Sequence, residues 1–386
     1  MKIVHVITRL IVGGAQENTL LSCEGQHDAG HEVTLITGPP QGPEGSLLER
    51  AQSYGYKVEL LDDMRRSILP LKDWHTYTHL IRRFRELRPD VVHTHSSKAG
   101  IVGRWAAHKS RERGANVPRV VHTIHGLAFT ASPRALVNNF YKTLERKTAP
   151  ITHKIVCVAG AMATQSLASN IGKPEQYVTV HSGMDIGPFI EPPVSREVIR
   201  KQLGLSPEHV AVGTIARLFH MKGHDDLIQL APELCKKFPE LRFVWIGDGI
   251  LRGEFEQKIA GLGLADRFIL TGLVPPTRIP ELTNALDIVV HPSRREGLAR
   301  AIPQGQLALC PVVTYDIDGN AEGLIDGETG FAVNPFDVAV LGEKLRLLLG
   351  DKELVRSMGE RGRKFAVERF DTRLMVRRLQ EVYESI

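Results

Sequence analysis

One rhythm runs through this chain and leaves it few ways to fold. A short run rich in Val, Ile and Leu gives way to a junction of polar or small residues, and a segment with helical spacing follows. Residues 2–7, 31–37, 57–61, 89–95, 120–124, 152–158 and 177–181 form one series of such runs, and residues 210–215, 243–246, 268–270, 285–291 and 310–313 form a second. Runs this short and this continuously apolar suit strands buried on both faces, and a helix between successive strands makes the sheets parallel. The expected class is α/β, built from doubly wound, Rossmann-like sheets.

The rhythm breaks once. Pro188, Pro192 and Pro193 fall within six residues, a density that neither a helix nor a central strand sustains. A length of 386 residues calls for two or three domains. The linker therefore divides a first Rossmann-like domain, 1–188, from a second, 189–370. Residues 371–386 hold a last amphipathic helix, with Leu374, Val376, Leu379 and Val382 on its apolar side.

Composition then narrows the function classes. Hydrophobic residues make up 42% and charged residues 24%, the proportions of a globular protein, and no run of eighteen apolar residues offers a membrane span. His5, Thr8 and Arg9 interrupt the first apolar segment too early for a signal peptide. Cys23, Cys157, Cys235 and Cys310 are far apart, form no CxxC pair and fit buried thiols in a reducing cytoplasm. The net charge of +5 is unevenly spread, with 18 basic against 5 acidic side chains in residues 65–154. Arg82, Arg83, Arg85 and Arg88 share one expected helix, and Arg104, Lys109, Arg111 and Arg113 the next. Such a surplus is either a set of solvated helix faces or a seat for an anionic membrane surface. No nucleic-acid motif accompanies it.

In open α/β sheets ligands bind beyond the carboxyl ends of the strands, so function is expected at the junctions. Gly13 and Gly14 follow the first strand and open a helix, where backbone N–H groups can approach a ligand. His125-Gly126 ends the fifth strand. His93, His95, His122 and His125 invite a metal reading, but strand parity separates alternate residues and no carboxylate joins them at ligand spacing, so no metal is expected. Arg217 and Lys222 follow the run 210–215 and suit a diphosphate clamp, although exposed loop cations are common. Glu296-Gly297-Leu298 lies between the run 285–291 and a helix expected over 298–309, whose first N–H groups would belong to Gly297 and Leu298. Pro303 and Gly305 fall inside that helix, which must begin later, near Arg300, or bend. Gln304 stands eight residues beyond Glu296.

The segment HPSRREGLARAIPQGQLALCPVV, with HSSKAGIVGRWAA, VHTIHGLAF and the Arg217 to Gly223 stretch, resembles glycosyltransferase family 4. That family comprises retaining, nucleotide-sugar-dependent enzymes of GT-B fold, in which two Rossmann-like domains face each other across a cleft. The resemblance covers Ile3 to about Phe370. The family signature is two Glu eight positions apart before a PVV strand. Here Glu296 matches the first, Gln304 stands at the second, and Ala299 stands where Pro is frequent.

The resemblance implies transfer of a sugar, with retention and without metal or other cofactor, from a UDP- or GDP-linked donor. The acceptor would be a glycan or a polyprenyl-phosphate-linked molecule, in cell-surface polysaccharide or lipopolysaccharide synthesis. It implies His125, Arg217, Lys222 and Glu296 as the catalytic group. Gly13, Gly14, Gly126, Val274, Gly297, Leu298 and Gln304 would surround the donor, with Val274 beside the base and Gln304 at the ribose. The last helix would cross back onto the first domain. A cytoplasmic protein is expected, and the basic first half would add a peripheral seat on the inner face of the plasma membrane. The departures at Gln304 and Pro303 keep open a donor-binding or scaffolding subunit, and a nucleotide-sugar epimerase shares the two-domain shape. A dinucleotide dehydrogenase would want GxGxxG after the first strand, which Gly13-Gly14-Ala15-Gln16-Glu17 does not supply.

Overall fold

The computed structural model describes residues 1–42, 45–111, 118–130 and 135–386. Arg113 and part of the loop expected over 39–45 lie outside the described residues. The chain forms two units: Met1–Met184 together with Thr372–Ile386, and Asp185–Asp371. The division falls at Met184 and not at Pro188. Pro188 belongs to a one-turn helix, Gly187–Ile190, where a proline in the first turn removes no intrahelical hydrogen bond.

The first unit holds strands β1 (Lys2–Ile7), β2 (Glu32–Thr37), β3 (Lys57–Leu60), β4 (Val91–His95), β5 (Arg119–Ile124), β6 (Lys154–Cys157) and β7 (Tyr177–Thr179). They form a parallel sheet in the order β3-β2-β1-β4-β5-β6-β7. The second unit holds β8 (Val210–Ile215), β9 (Leu241–Ile246), β10 (Phe268–Leu270), β11 (Ile288–His291), β12 (Val312–Tyr315) and β13 (Gly330–Val333), in the order β10-β9-β8-β11-β12-β13. The central strands β4 and β11 are buried at every position; β11 reads as an apolar run up to its last residue, His291, whereas β4 buries His93, Thr94 and His95 as well as Val91 and Val92. In each sheet the winding reverses once, between β1 and β4 or between β8 and β11. Such switch points open a crevice at the carboxyl edge.

The last helix, Thr372–Glu384, packs in the first unit beside the helix Gly14–Asp28. Its Met375, Leu379, Val382 and Tyr383 share one buried cluster with Ile3, Leu21, Val91, Val121 and Val156. At about 1.5–3 kcal/mol for each fully buried side chain, these residues are what anchor the segment. A Cβ added to Gly25 would come 2.4 Å from Val376, so the two helices meet closely there.

Several expectations need correction. Of the two readings of the helix expected over 298–309, the later start holds: it is Ala301–Leu307, and it ends two residues early. Gly330–Val333, which lies outside the apolar runs read from the sequence, is the edge strand β13. The basic surplus is partly internal. Arg104 is fully buried and donates to Glu145 at 2.7 Å, and Arg83 Nε donates to Glu59 at 2.8 Å.

Candidate active site

The second unit's switch point brings together a cation, a carboxylate and an imidazole. After β8 the chain passes Arg217 and a single turn at His220–Lys222, then enters the helix His224–Lys237. After β11 it passes Ser293, Arg294 and Glu296 before the helix Ala301–Leu307. The two loops are tied: Arg294 N–H donates to Met221 O at 2.9 Å, and the buried Ser293 hydroxyl donates to the same oxygen at 3.1 Å. Gly223 makes that approach feasible. Its φ of +75° is left-handed, and a Cβ there would lie 1.9 Å from Pro292 O. Held this way, the Lys222 ammonium is ion-paired with Glu296, and His291 Nε2 lies 2.9 Å from the same carboxylate oxygen. The backbone N–H of Glu296 donates to Asp318 at 2.9 Å.

Glu296 is ionised in this setting. Burial pushes its carboxyl upward, but the Lys222 charge and the His291 hydrogen bond outweigh burial and hold it well below the usual carboxylate range. Its side chain turns to Lys222 and His291, and the next helix begins only at Ala301, so Glu296 is not a helix cap. Arg217 is exposed, with its guanidinium over the Phe219 ring at 4.9 Å from the centroid.

Because the helix starts at Ala301, Pro303 falls in its first turn and breaks no hydrogen bond. Gly305 lets this helix lie close on the sheet, since a Cβ there would meet Val289 at 2.8 Å. Gln304 alone among residues 301–307 is half-buried, the others being buried, so the helix offers one accessible polar side chain. Gly297 and Leu298 lie in the loop before the helix, not at its first turn as expected. They are buried there, and Gly297 O accepts from Gly319 N–H at 2.8 Å. Val274 follows the edge strand β10 and packs, half-buried, against a core cluster that includes Ile302 and Leu324.

In the first unit, Thr8 at the end of β1 and Ser96 at the end of β4 meet through their hydroxyls at 2.7 Å. Gly13 precedes the helix Gly14–Asp28 in extended backbone, and Gly14 is exposed. His125 and Gly126 help line a cavity of about 290 Å³ with Ala15, Ser96, Ser97 and Phe129. Behind His125 lies a set of buried polar groups: His125 Nε2 is 3.1 Å from His95 Nδ1, and His95 Nε2 is 2.9 Å from His5 Nδ1. Ring nitrogens of His5, His93 and His95 come within 4.8 Å of one another, but hydrogen bonds engage all six, and a metal would have to break them. His122 is not of this set. Strand parity puts it on the other face, against Thr94 at 2.9 Å.

Glycosyltransferase Family 4 matches residues 12–187, and Glycosyl transferases group 1 matches residues 195–365. The chain is a family 4 glycosyltransferase. An Escherichia coli relative, UDP-Gal:alpha-D-GlcNAc-diphosphoundecaprenol alpha-1,3-galactosyltransferase, is 28% identical over 99% of this chain and 96% of its own. The Staphylococcus aureus capsular polysaccharide biosynthesis glycosyltransferase CapM is 22% identical over 86% and 87%. Among solved structures, Anabaena HepE in complex with UDP-glucose superposes with a TM-score of 0.82, at 23% identity, over all of both chains. The fold of this glycosyltransferase is thus GT-B.

Sequence reasoning passed over two groups in the glycosyltransferase. His291 escaped notice as the partner of Glu296, although it is the polar residue that ends an apolar strand, the same signal that marks His125. His5, Gln26 and Tyr383 escaped notice because they meet His93, His95 and His125 only once the sheet and two helices are assembled.

Proposed function

We propose that this glycosyltransferase moves a hexosyl group, with retention and without a metal ion, from a UDP-sugar to a lipid-diphosphate-linked acceptor in cell-surface polysaccharide synthesis. The observation that carries the reading is the Lys222–Glu296–His291 cluster at the second unit's switch point. Lys222 has three N–H donors and can keep Glu296 while taking a phosphate oxygen; Arg217 supplies a second cation. As the bond from the anomeric carbon to the diphosphate breaks, these cations oppose the charge gathering on the leaving oxygens. The acceptor hydroxyl bonds to the anomeric carbon on the same face, and its proton passes to the departing diphosphate. Glu296 holds sugar hydroxyls, Gln304 the ribose, and Val274 flanks the base. The names of the Escherichia coli relative and of the Anabaena complex support a UDP-linked donor, and the former supports a diphosphate-lipid acceptor.

Thermal unfolding against a panel of UDP- and GDP-sugars tests the donor, since a ligand that binds only the folded state raises the midpoint. Product analysis with diphosphoundecaprenol-linked N-acetylglucosamine as acceptor, in the presence of a chelator, then tests anomeric configuration and metal use. Stabilisation by no sugar nucleotide would overturn the reading, and so would a product of inverted configuration.

We also infer a peripheral membrane seat. Leu71, Trp74, Leu136 and Phe140 are exposed on helices Pro70–Leu87 and Ala135–Thr148, which both pack on the helix Ser97–Lys109; exposed Arg82 and Arg85 lie on the first of them, and exposed Arg88 follows its end. No helix of the described residues is long and apolar enough to cross a membrane. Flotation with acidic vesicles at low salt should carry the protein up, each well-placed cation adding about 1 kcal/mol. Equal flotation on neutral vesicles would count against it.

A further inference from the structure

The polar groups behind His125 continue well beyond His95. His5 Nε2 lies 2.7 Å from Gln26 Oε1, Gln26 Nε2 lies 3.0 Å from the Tyr383 hydroxyl, Tyr383 lies 2.6 Å from His93 Nδ1, and His93 Nε2 lies 2.7 Å from the Thr123 hydroxyl. The chain of contacts thus starts at His125, just past the end of β5, runs through β4, β1, the helix Gly14–Asp28 and the last helix, and comes back through His93 of β4 to Thr123 of β5. His5, Gln26, His93, His95 and Tyr383 are fully buried.

A neutral imidazole has one N–H and one lone pair, so a row of them must be polarised in a single sense. Burial keeps His5, His93 and His95 neutral, holding His5 near 4 and the other two well below the ordinary histidine range. With Gln26 Oε1 turned to His5, as here, the His5 Nε2–H donates to the amide oxygen and His5 Nδ1 accepts from His95 Nε2–H. His95 Nδ1 then accepts from His125 Nε2–H. On the far side the Gln26 N–H donates to Tyr383, whose hydroxyl donates to His93 Nδ1. Flipping the one amide would reverse every donor, so Gln26 and its partner Tyr383 hold the sense for the whole row.

We propose that Gln26 and Tyr383 are positioning residues that fix the tautomer of His125 through His5 and His95, so that its Nε2 bears the proton and its Nδ1, on the opposite side of the ring, presents a lone pair. The C-terminal helix is thereby part of the transfer machinery without lining the cavity. The functional half of this proposal rests on the reading of His125 as a catalytic group. The tautomer half does not.

The test uses the full-length protein, with nitrogen NMR of labelled histidine and UDP release from UDP-galactose and UDP-glucose in the presence of diphosphoundecaprenol-linked N-acetylglucosamine as acceptor. The wild type should show one His125 tautomer, protonated at Nε2. Gln26→Met and Tyr383→Phe should each move the two ring-nitrogen signals toward their average. They should lower kcat roughly two- to tenfold, as the competent form falls from nearly all molecules to between a half and a tenth of them, with donor KM little changed. Tyr383→Phe keeps the packed ring and serves if Gln26→Met fails to fold. Averaged His125 signals in the wild type would overturn the proposal. So would a single unchanged tautomer in both variants, or wild-type kcat in both where His125→Ala has lost turnover. Full turnover in His125→Ala would instead remove the catalytic reading of His125, and the functional half of the proposal with it, a failure seen in a separate variant.

Discussion

Lys222 and Glu296 are mostly buried and face each other, with 20% and 15% of their side chains exposed, so each is the other's chief neutralising charge. Glu296→Gln removes a charge present at any working pH, because its carboxyl is held well below the usual range by Lys222 and His291 against the upward push of burial. If that charge answers the positive charge developing at the anomeric carbon, kcat should fall about 10²-fold with donor KM within about twofold. Steady-state rates measured beside unfolding free energy decide it. A destabilised protein with full specific activity would refute the catalytic role. The two cations should behave differently from each other. Arg217→Ala and Lys222→Ala should each weaken UDP binding by roughly 1.5–3 kcal/mol. Only Lys222→Ala also strands a mostly buried carboxylate without its cation, at about 3 kcal/mol of stability. Calorimetric titration and denaturant unfolding separate these effects.

At the scale of elements, the position of Lys222 depends on one backbone turn. Gly223→Ala forces a left-handed φ on alanine and drives its Cβ into Pro292 O, so the loop after β8 must move away from the loop after β11. UDP affinity and melting temperature should drop together. Gly204→Ala is the control: its φ is +71° and nothing lies within 4 Å of the added carbon, so it should cost only about 1–2 kcal/mol and leave UDP affinity alone. Most elements were legible because burial on both faces leaves strands with few polar residues, as in β8 and β11. The start of the helix Ala301–Leu307 was less so, since Pro303 is equally consistent with a first turn and with a bend. β13 was hidden by its glycine, which lies so close to β12 that a Cβ would meet Val312 O at 2.2 Å. Helices Val338–Gly350 and Lys352–Phe370 carried a usable signal that motif reading ignored. Asp337 and Asp351 cap them, accepting from Val340 and Leu354 N–H at 3.0 and 2.9 Å. The row from His125 to Tyr383 had no local signal at all, because its partners share no spacing.

For the whole molecule, the buried histidines set how stability responds to acid. Burial lowers His5 to about 4 and His224 to about 3, and lowers His93, His95 and His122 well below 6.5. Below pH 6.5 the unfolded chain takes up protons that the folded chain refuses, so stability is full above that pH and falls as pH drops toward 4. Each such histidine contributes up to ~1.4 kcal/mol per pH unit. Glu296, with its folded pKa depressed, adds a further loss below about pH 4.5. Urea midpoints should therefore be flat above pH 7 and fall steeply from pH 6.5 to 5; an unchanged midpoint across that window would contradict the burial. The return of Thr372–Ile386 to the first unit has another consequence, which concerns manufacture. The strands of that unit leave the ribosome first, yet Ile3, Leu21, Val91 and Val121 wait for Met375, Leu379 and Tyr383 until the whole second unit has been synthesised. Gln26 meets its partner 357 residues later. Released chains truncated after Asp371 should keep that apolar face open to chaperones and proteases while Asp185–Asp371 folds, so the part of the protein begun first is the part finished last.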